Sequence, residues 1–146
     1  MRIEGAEAMK VYASTLIEGL SHYTDRASVI ALSGDLGAGK TTLTQGIASV
    51  LGVSESVVSP TFVIEKSYDL INQRWQKLIH IDAYRLINEH ELEVLGWRDI
   101  LADGANLIII EWPEMVAGLI PSHAVRVELS GTGEVREVVV HMPTVQ

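Results

Sequence analysis

Gly34-Asp35-Leu36-Gly37-Ala38-Gly39-Lys40-Thr41 matches the phosphate-cradling pattern G-x-x-x-x-G-K-[ST] at every fixed position. An apolar run, Val-Ile-Ala-Leu over residues 29–32, stands directly before it, and residues 42–48 have the composition of a helix. Strand, glycine-rich loop and helix start together point a row of backbone N–H groups at a polyphosphate. In that geometry Lys40 neutralises the β and γ phosphates, and the Thr41 hydroxyl takes one position on Mg2+. From average glycine usage, a chance match in a chain of 146 residues is on the order of one in two hundred. The stretch predicts a nucleoside triphosphate site lined by Gly34, Asp35, Leu36, Gly37, Ala38, Gly39, Lys40, Thr41 and Thr42.

Working outward, apolar residues at Ala6, Met9, Ala13, Leu16, Ile17 and Leu20 have helical spacing. The helix after the loop is expected to run to Leu51, with Gly52 as its C-terminal cap. Residues 62–68 and 75–82 read as two strands of an antiparallel hairpin, turning near Asn72-Gln73. A short helix over 89–95 is closed by Gly96, and the aliphatic run 107–110 has the character of a strand covered on both faces. Residues 125–129 and 135–141 alternate around Gly131-Thr132-Gly133, as in a terminal hairpin. The pattern is α/β: a three-layer P-loop nucleotide-binding fold whose mixed sheet contains antiparallel hairpins, in one domain over residues 1–146.

Composition narrows the function. The net charge is −8, from 11 Lys and Arg against 19 Asp and Glu, with no basic cluster. A chain that grips nucleic acid by itself normally presents a basic face, so any RNA or DNA here is expected to be held by a partner. The absence of cysteine excludes disulfides, thiolate zinc sites and cysteine nucleophiles. No apolar run approaches the ~18 residues of a membrane span. The N-terminus also lacks a signal-peptide pattern, so the expected location is cytoplasmic.

A phosphate loop needs an acidic partner for Mg2+, usually at the C-terminal end of a buried strand, and Glu111 ends the run 107–110. The bland alternative is a carboxylate that only marks the strand end. Asp82 shares a strand face with His80, and it could orient the attacking water or hold metal water. Equally, it could pair with Arg85 or cap the next segment. His80 reads as a hydrogen-bonded structural histidine. Thr61 follows Ser59-Pro60 on a connector where nucleotide switches often place a threonine, and a Ser-Pro turn explains it as well. Trp112-Pro113 could cover the site or pack in the core, whereas Trp97 reads as packing. The guanine-reading N-K-x-D pattern is absent, which favours ATP, and no arginine stands out as a charge-stabilising finger.

Five motifs occur in one order: GDLGAGKTT over 34–42, SPTF over 59–62, HIDAYR over 80–85, ELEVLGWRD over 91–99 and EWPE over 111–114. In this the chain resembles the bacterial TsaE family, formerly the YjeE family. The resemblance implies an ATPase needed to make threonylcarbamoyladenosine in tRNAs that read codons beginning with A. Such a subunit docks on the TsaD–TsaB pair and supports repeated turnover by TsaD, and it meets tRNA only through those partners. By motif match, Lys40 would bind phosphate, Thr41 and Glu111 would serve Mg2+, Asp82 would be needed for hydrolysis and Thr61 would act as a switch. Trp112 would lie near the nucleotide, as would Glu7 in the N-terminal segment Gly5-Ala6-Glu7. Ala83 departs from the family, which often has leucine there.

Two other readings share the phosphate loop: a small-molecule kinase and a nucleotide-gated binding module. A kinase usually carries a lid and an arginine-rich substrate segment, and no long lid insertion stands in this sequence.

Overall fold

The computed structural model describes residues 1–35, 38–54, 65–131 and 135–143. In chain order its elements are β1 (Arg2–Glu4), α1 (Gly5–Glu18), β2 (Ser28–Gly34), α2 (Lys40–Val50), β3 (Glu65–Asp69) and β4 (Lys77–Asp82). These are followed by α3 (Glu89–Val94), α4 (Trp97–Leu101), β5 (Asn106–Glu111), a 3-10 segment over Pro113–Leu119, β6 (Val125–Ser130) and β7 (Val135–His141). The strands form one sheet in the order β1-β7-β6-β2-β5-β4-β3.

The aliphatic run of β5 sits between two parallel neighbours, β2 and β4, and every residue of the strand is buried. Side chains alternate across a strand, so the run divides between two cores. Leu107 and Ile109 join Ile30, Leu32, Leu43 and Ile47 under α1 and α2. Ile108 and Ile110 join Ala31, Ile81, Leu92 and Trp97 under α3, α4 and the 3-10 segment. Helices on both faces of a central parallel group make three layers, and the antiparallel pairs β3–β4 and β6–β7 lie towards the two edges. The fold class read from the sequence is the one observed.

Boundaries follow local chemistry. Gly52, with φ +84, succeeds α2 as a left-handed residue can where L side chains are strained. Asn72, also at positive φ, lies in the turn between β3 and β4. Phe62 and its neighbours at the start of the expected hairpin lie outside the described residues.

Three elements were not expected, the 3-10 segment over Pro113–Leu119 among them. After Gly96 the chain does not leave helix for good but starts again as α4, and Trp97 buries its ring there and donates from Nε1 to the Leu119 carbonyl at 3.0 Å. Five residues are too short to display a helical period. Strand β1 has only Ile3 buried, and it exists by pairing antiparallel with β7 from the far end of the chain. Among the described residues no helix is long and apolar enough to cross a membrane.

Gly34 closes β2 against the backbone of β6. A Cβ there would stand 2.6 Å from the Leu129 carbonyl oxygen of β6, at a φ of +153. Gly34→Ala is therefore expected to destabilise the fold by about 1–3 kcal/mol through overpacking. Equilibrium unfolding in urea reads this directly. An unchanged midpoint would mean that β6 can withdraw from β2 without loss.

Candidate functional site

The parallel strands β2, β4 and β5 end side by side, with Glu111 in register with Leu32 on one side and Asp82 on the other. Ligands in open α/β sheets sit beyond the carboxyl ends of the strands, and the phosphate loop leaves β2 at that edge. By alternation, Asp82 and Glu111 share the face of Leu78, Leu107 and Ile109, which is the face that α1 and α2 cover. Both carboxylates are thus on the side from which α2 springs. Asp82, which could have pointed either way as far as spacing alone could tell, joins Glu111.

Helix α2 begins at Lys40 after Gly39, which has φ +102 and ψ +14. Among the described residues no side chain caps this helix start and no acidic residue lies in its first turn, so its positive dipole end could take an outside anion. Thr41 and Thr42 are half-buried in that turn. Of the loop, Gly34, Asp35, Ala38 and Gly39 lie within the described residues, whereas Leu36 and Gly37 lie outside them, as does Thr61.

Lys40 is 6% exposed. Its ammonium donates to the Gly34 carbonyl and, at 3.0 Å, to the Asp35 carbonyl, so the lysine folds back on its own loop. The Trp112 ring lies 4.4 Å from Nζ as a cation–π partner. Burial pushes the Lys40 ammonium below its ordinary range, against the opposing pull of Glu111, Glu114, Asp82 and Asp35. Those four carboxylates come from three separate parts of the chain, and all of them act on one cation.

Trp112 is held at φ +58 and ψ +50 immediately before Pro113. Proline disfavours the right-handed helical region for the residue before it, and a bulky residue at positive φ costs on the order of 1–3 kcal/mol. That conformation turns the ring back over the strand ends, where it meets Tyr84 at a centroid distance of 4.9 Å. Asp82 Oδ1 accepts the Tyr84 N–H at 3.0 Å, so this carboxylate caps the segment that follows while its charge acts on Lys40. Of the readings of Asp82 from the sequence, the cap on the following segment is the one observed.

Glu111 is 3% exposed, and its Oε2 is hydrogen-bonded to Nε2 of fully buried His80. His80 and Glu111 are 31 residues apart in the chain, and nothing local signals their contact. Glu7 lies exposed on the first turn of α1, two residues before Met9. The Met9 methyl closes on the loop: a Cβ at Gly39 would be 3.6 Å from it. The same Cβ position is 3.0 Å from Nε of Arg136, which the terminal hairpin brings beside the phosphate loop. Sequence reading singled out no arginine for the site. The one that arrives is 97 residues away from Gly39 in the chain and has no motif around it.

The groups here that could hold a metal all offer oxygen: the Thr41 hydroxyl and the carboxylates of Glu111 and Asp82. Hard oxygen ligands suit Mg2+, which takes one or two protein groups and completes its shell with phosphates and water. Among the described residues no group of three His, Asp or Glu side chains could enclose an ion unaided.

A family model described as Threonylcarbamoyl adenosine biosynthesis protein TsaE matches residues 4–138. The chain is 34% identical over 119 residues to the tRNA threonylcarbamoyladenosine biosynthesis protein TsaE of Haemophilus influenzae, covering 82% of this chain and 73% of that one. It is 38% identical over 112 residues to the protein of the same description from Borreliella burgdorferi, covering 75% and 79%. Among solved structures, the crystal structure of Bacillus subtilis YdiB superposes with a TM-score of 0.73 at 25% identity, over 97% of this chain and 83% of that chain.

Proposed function

The chain belongs to the TsaE family, and from that premise we propose that it is a partner-dependent ATPase in tRNA threonylcarbamoyladenosine biosynthesis. One observation carries the reading. A lysine at the start of α2 and two carboxylates at adjoining strand ends converge where the phosphate-loop pattern requires a triphosphate.

Binding of ATP exchanges partners for Lys40. The ammonium leaves the Gly34 and Asp35 carbonyls and turns to the β and γ phosphates, and the N–H groups at the start of α2 take the same charge. Thr41 and Glu111 are the residues that would hold Mg2+, which when bound draws charge from the phosphate oxygens. Asp82 lies across from Glu111 and orients the water that attacks the γ-phosphate. Trp112, over the Lys40 ammonium, keeps bulk water from that side of the site.

The partners are a TsaD–TsaB pair. The net charge of −8 supports a division of labour in which those partners hold the tRNA and this chain supplies the nucleotide cycle. Phosphate release from Mg-ATP is expected to be slow for the chain alone. Adding TsaD and TsaB is expected to raise it at least about tenfold, and by up to about 10³–10⁵ where the partner supplies a charge-stabilising group. Absence of any acceleration would overturn the partner-dependent reading. Phosphorylation of a small acceptor without protein partners would favour a kinase instead.

A further inference from the structure

We propose that His80 is a positioning residue for the Glu111 carboxylate, holding one of its oxygens so that the other faces the start of α2 and its magnesium. The proposal rests on the magnesium role of Glu111 stated above. His80 is fully buried on β4, in register with Ile109 of β5, two residues before Asp82 on the same face. Its Nε2 meets Glu111 Oε2. A carboxylate can only accept, so Nε2 carries the hydrogen and donates. Among the described residues Nδ1 is buried without a hydrogen-bond partner. That suits a bare ring nitrogen better than an N–H, and it selects the tautomer that donates to Glu111.

The geometry gives Glu111 two unlike oxygens. Oε2 is engaged from below by the imidazole, in a place where solvent has almost no access. With Oε2 so engaged, Oε1 is the oxygen that remains to meet a metal. A carboxylate tethered in this way loses less rotamer freedom when it meets a metal, and partners of metal-binding groups typically contribute about 10–100-fold to metal affinity. A purely structural His–Glu pair would stabilise the sheet without altering the metal.

Two substitutions separate these roles. The shorter amide introduced by H80N would place its nitrogen near the Nδ1 position of the imidazole and fall short of Glu111, whereas the longer amide of H80Q reaches the Nε2 position. ADP affinity in excess EDTA is measured first, and Mg2+ is then titrated into the ADP complex, both by calorimetry. H80N is expected to match the wild type in EDTA while its apparent Mg2+ affinity falls by about 10–100-fold, and H80Q should recover most of that loss. A wild-type Mg2+ midpoint in H80N overturns the proposal, and so does loss of ADP binding in EDTA by both variants, which would make His80 a core residue. If Glu111→Gln also has a wild-type midpoint, the magnesium role of Glu111 fails first.

Discussion

Lys40→Met is expected to bind Mg-ATP about 10- to 150-fold more weakly than the wild type, because hydrogen bonds from a charged group contribute about 1.5–3 kcal/mol. Calorimetry reads the loss, and a variant with unchanged affinity would show that the ammonium does not face the triphosphate. Methionine keeps most of the apolar stem of the lysine and removes the ammonium, with its charge and its hydrogen-bond donors. The nucleotide-free protein should respond in the opposite sense. Burial holds the Lys40 ammonium below its ordinary value of 10.5, so folding disfavours the charged form despite four nearby carboxylates. Between the lowered value and 10.5 the unfolded chain binds more protons than the folded one, and stability rises with pH across that alkaline window. Lys40→Met has no such titration. Its thermal advantage over the wild type is therefore expected to be largest near neutral pH and to shrink as the pH is raised. An advantage that grows with pH would mean that the carboxylates outweigh burial.

The second large effect concerns Asp82. Asp82→Ala is expected to leave ATP affinity within a few-fold of the wild type and to slow hydrolysis by about 10²–10⁴, the usual contribution of a positioned acid–base group. Alanine also removes the cap on the Tyr84 N–H, so loss of rate alone is ambiguous. Asp82→Asn resolves it, since its side-chain oxygen still accepts from Tyr84 but carries no charge. A residue that only caps the turn gives full activity as Asn and reduced activity as Ala. A residue that orients water fails in both. Single-turnover hydrolysis of bound ATP distinguishes the two, and a normal rate in Asp82→Asn would sink the catalytic assignment.

Much of the site is contiguous in the chain, and that part was legible. Gly34, Gly39, Lys40 and Thr41 form one loop whose chemistry depends on local backbone geometry. Glu111 was legible because an aliphatic strand that ends in a carboxylate is itself a pattern. Asp82 was read on the segment that forms β4, but its facing depended on the register of β4 against β5. The contact of His80 with Glu111 and the approach of Arg136 to Gly39 had no local signal at all.

From the residues alone came the phosphate loop, the two-faced burial of residues 107–110 and the antiparallel hairpins, because each arises from spacing within one short stretch. The order β1-β7-β6-β2-β5-β4-β3 was a tertiary decision, and with it came the short elements β1 and α4. Strand β1 buries one side chain and α4 spans five residues, so neither carries its own stability; packing against distant partners supplies it. The same packing sets Asp82 against Glu111, closes His80 beneath them and lays Trp112 over Lys40, since only the assembled sheet holds those strand ends side by side.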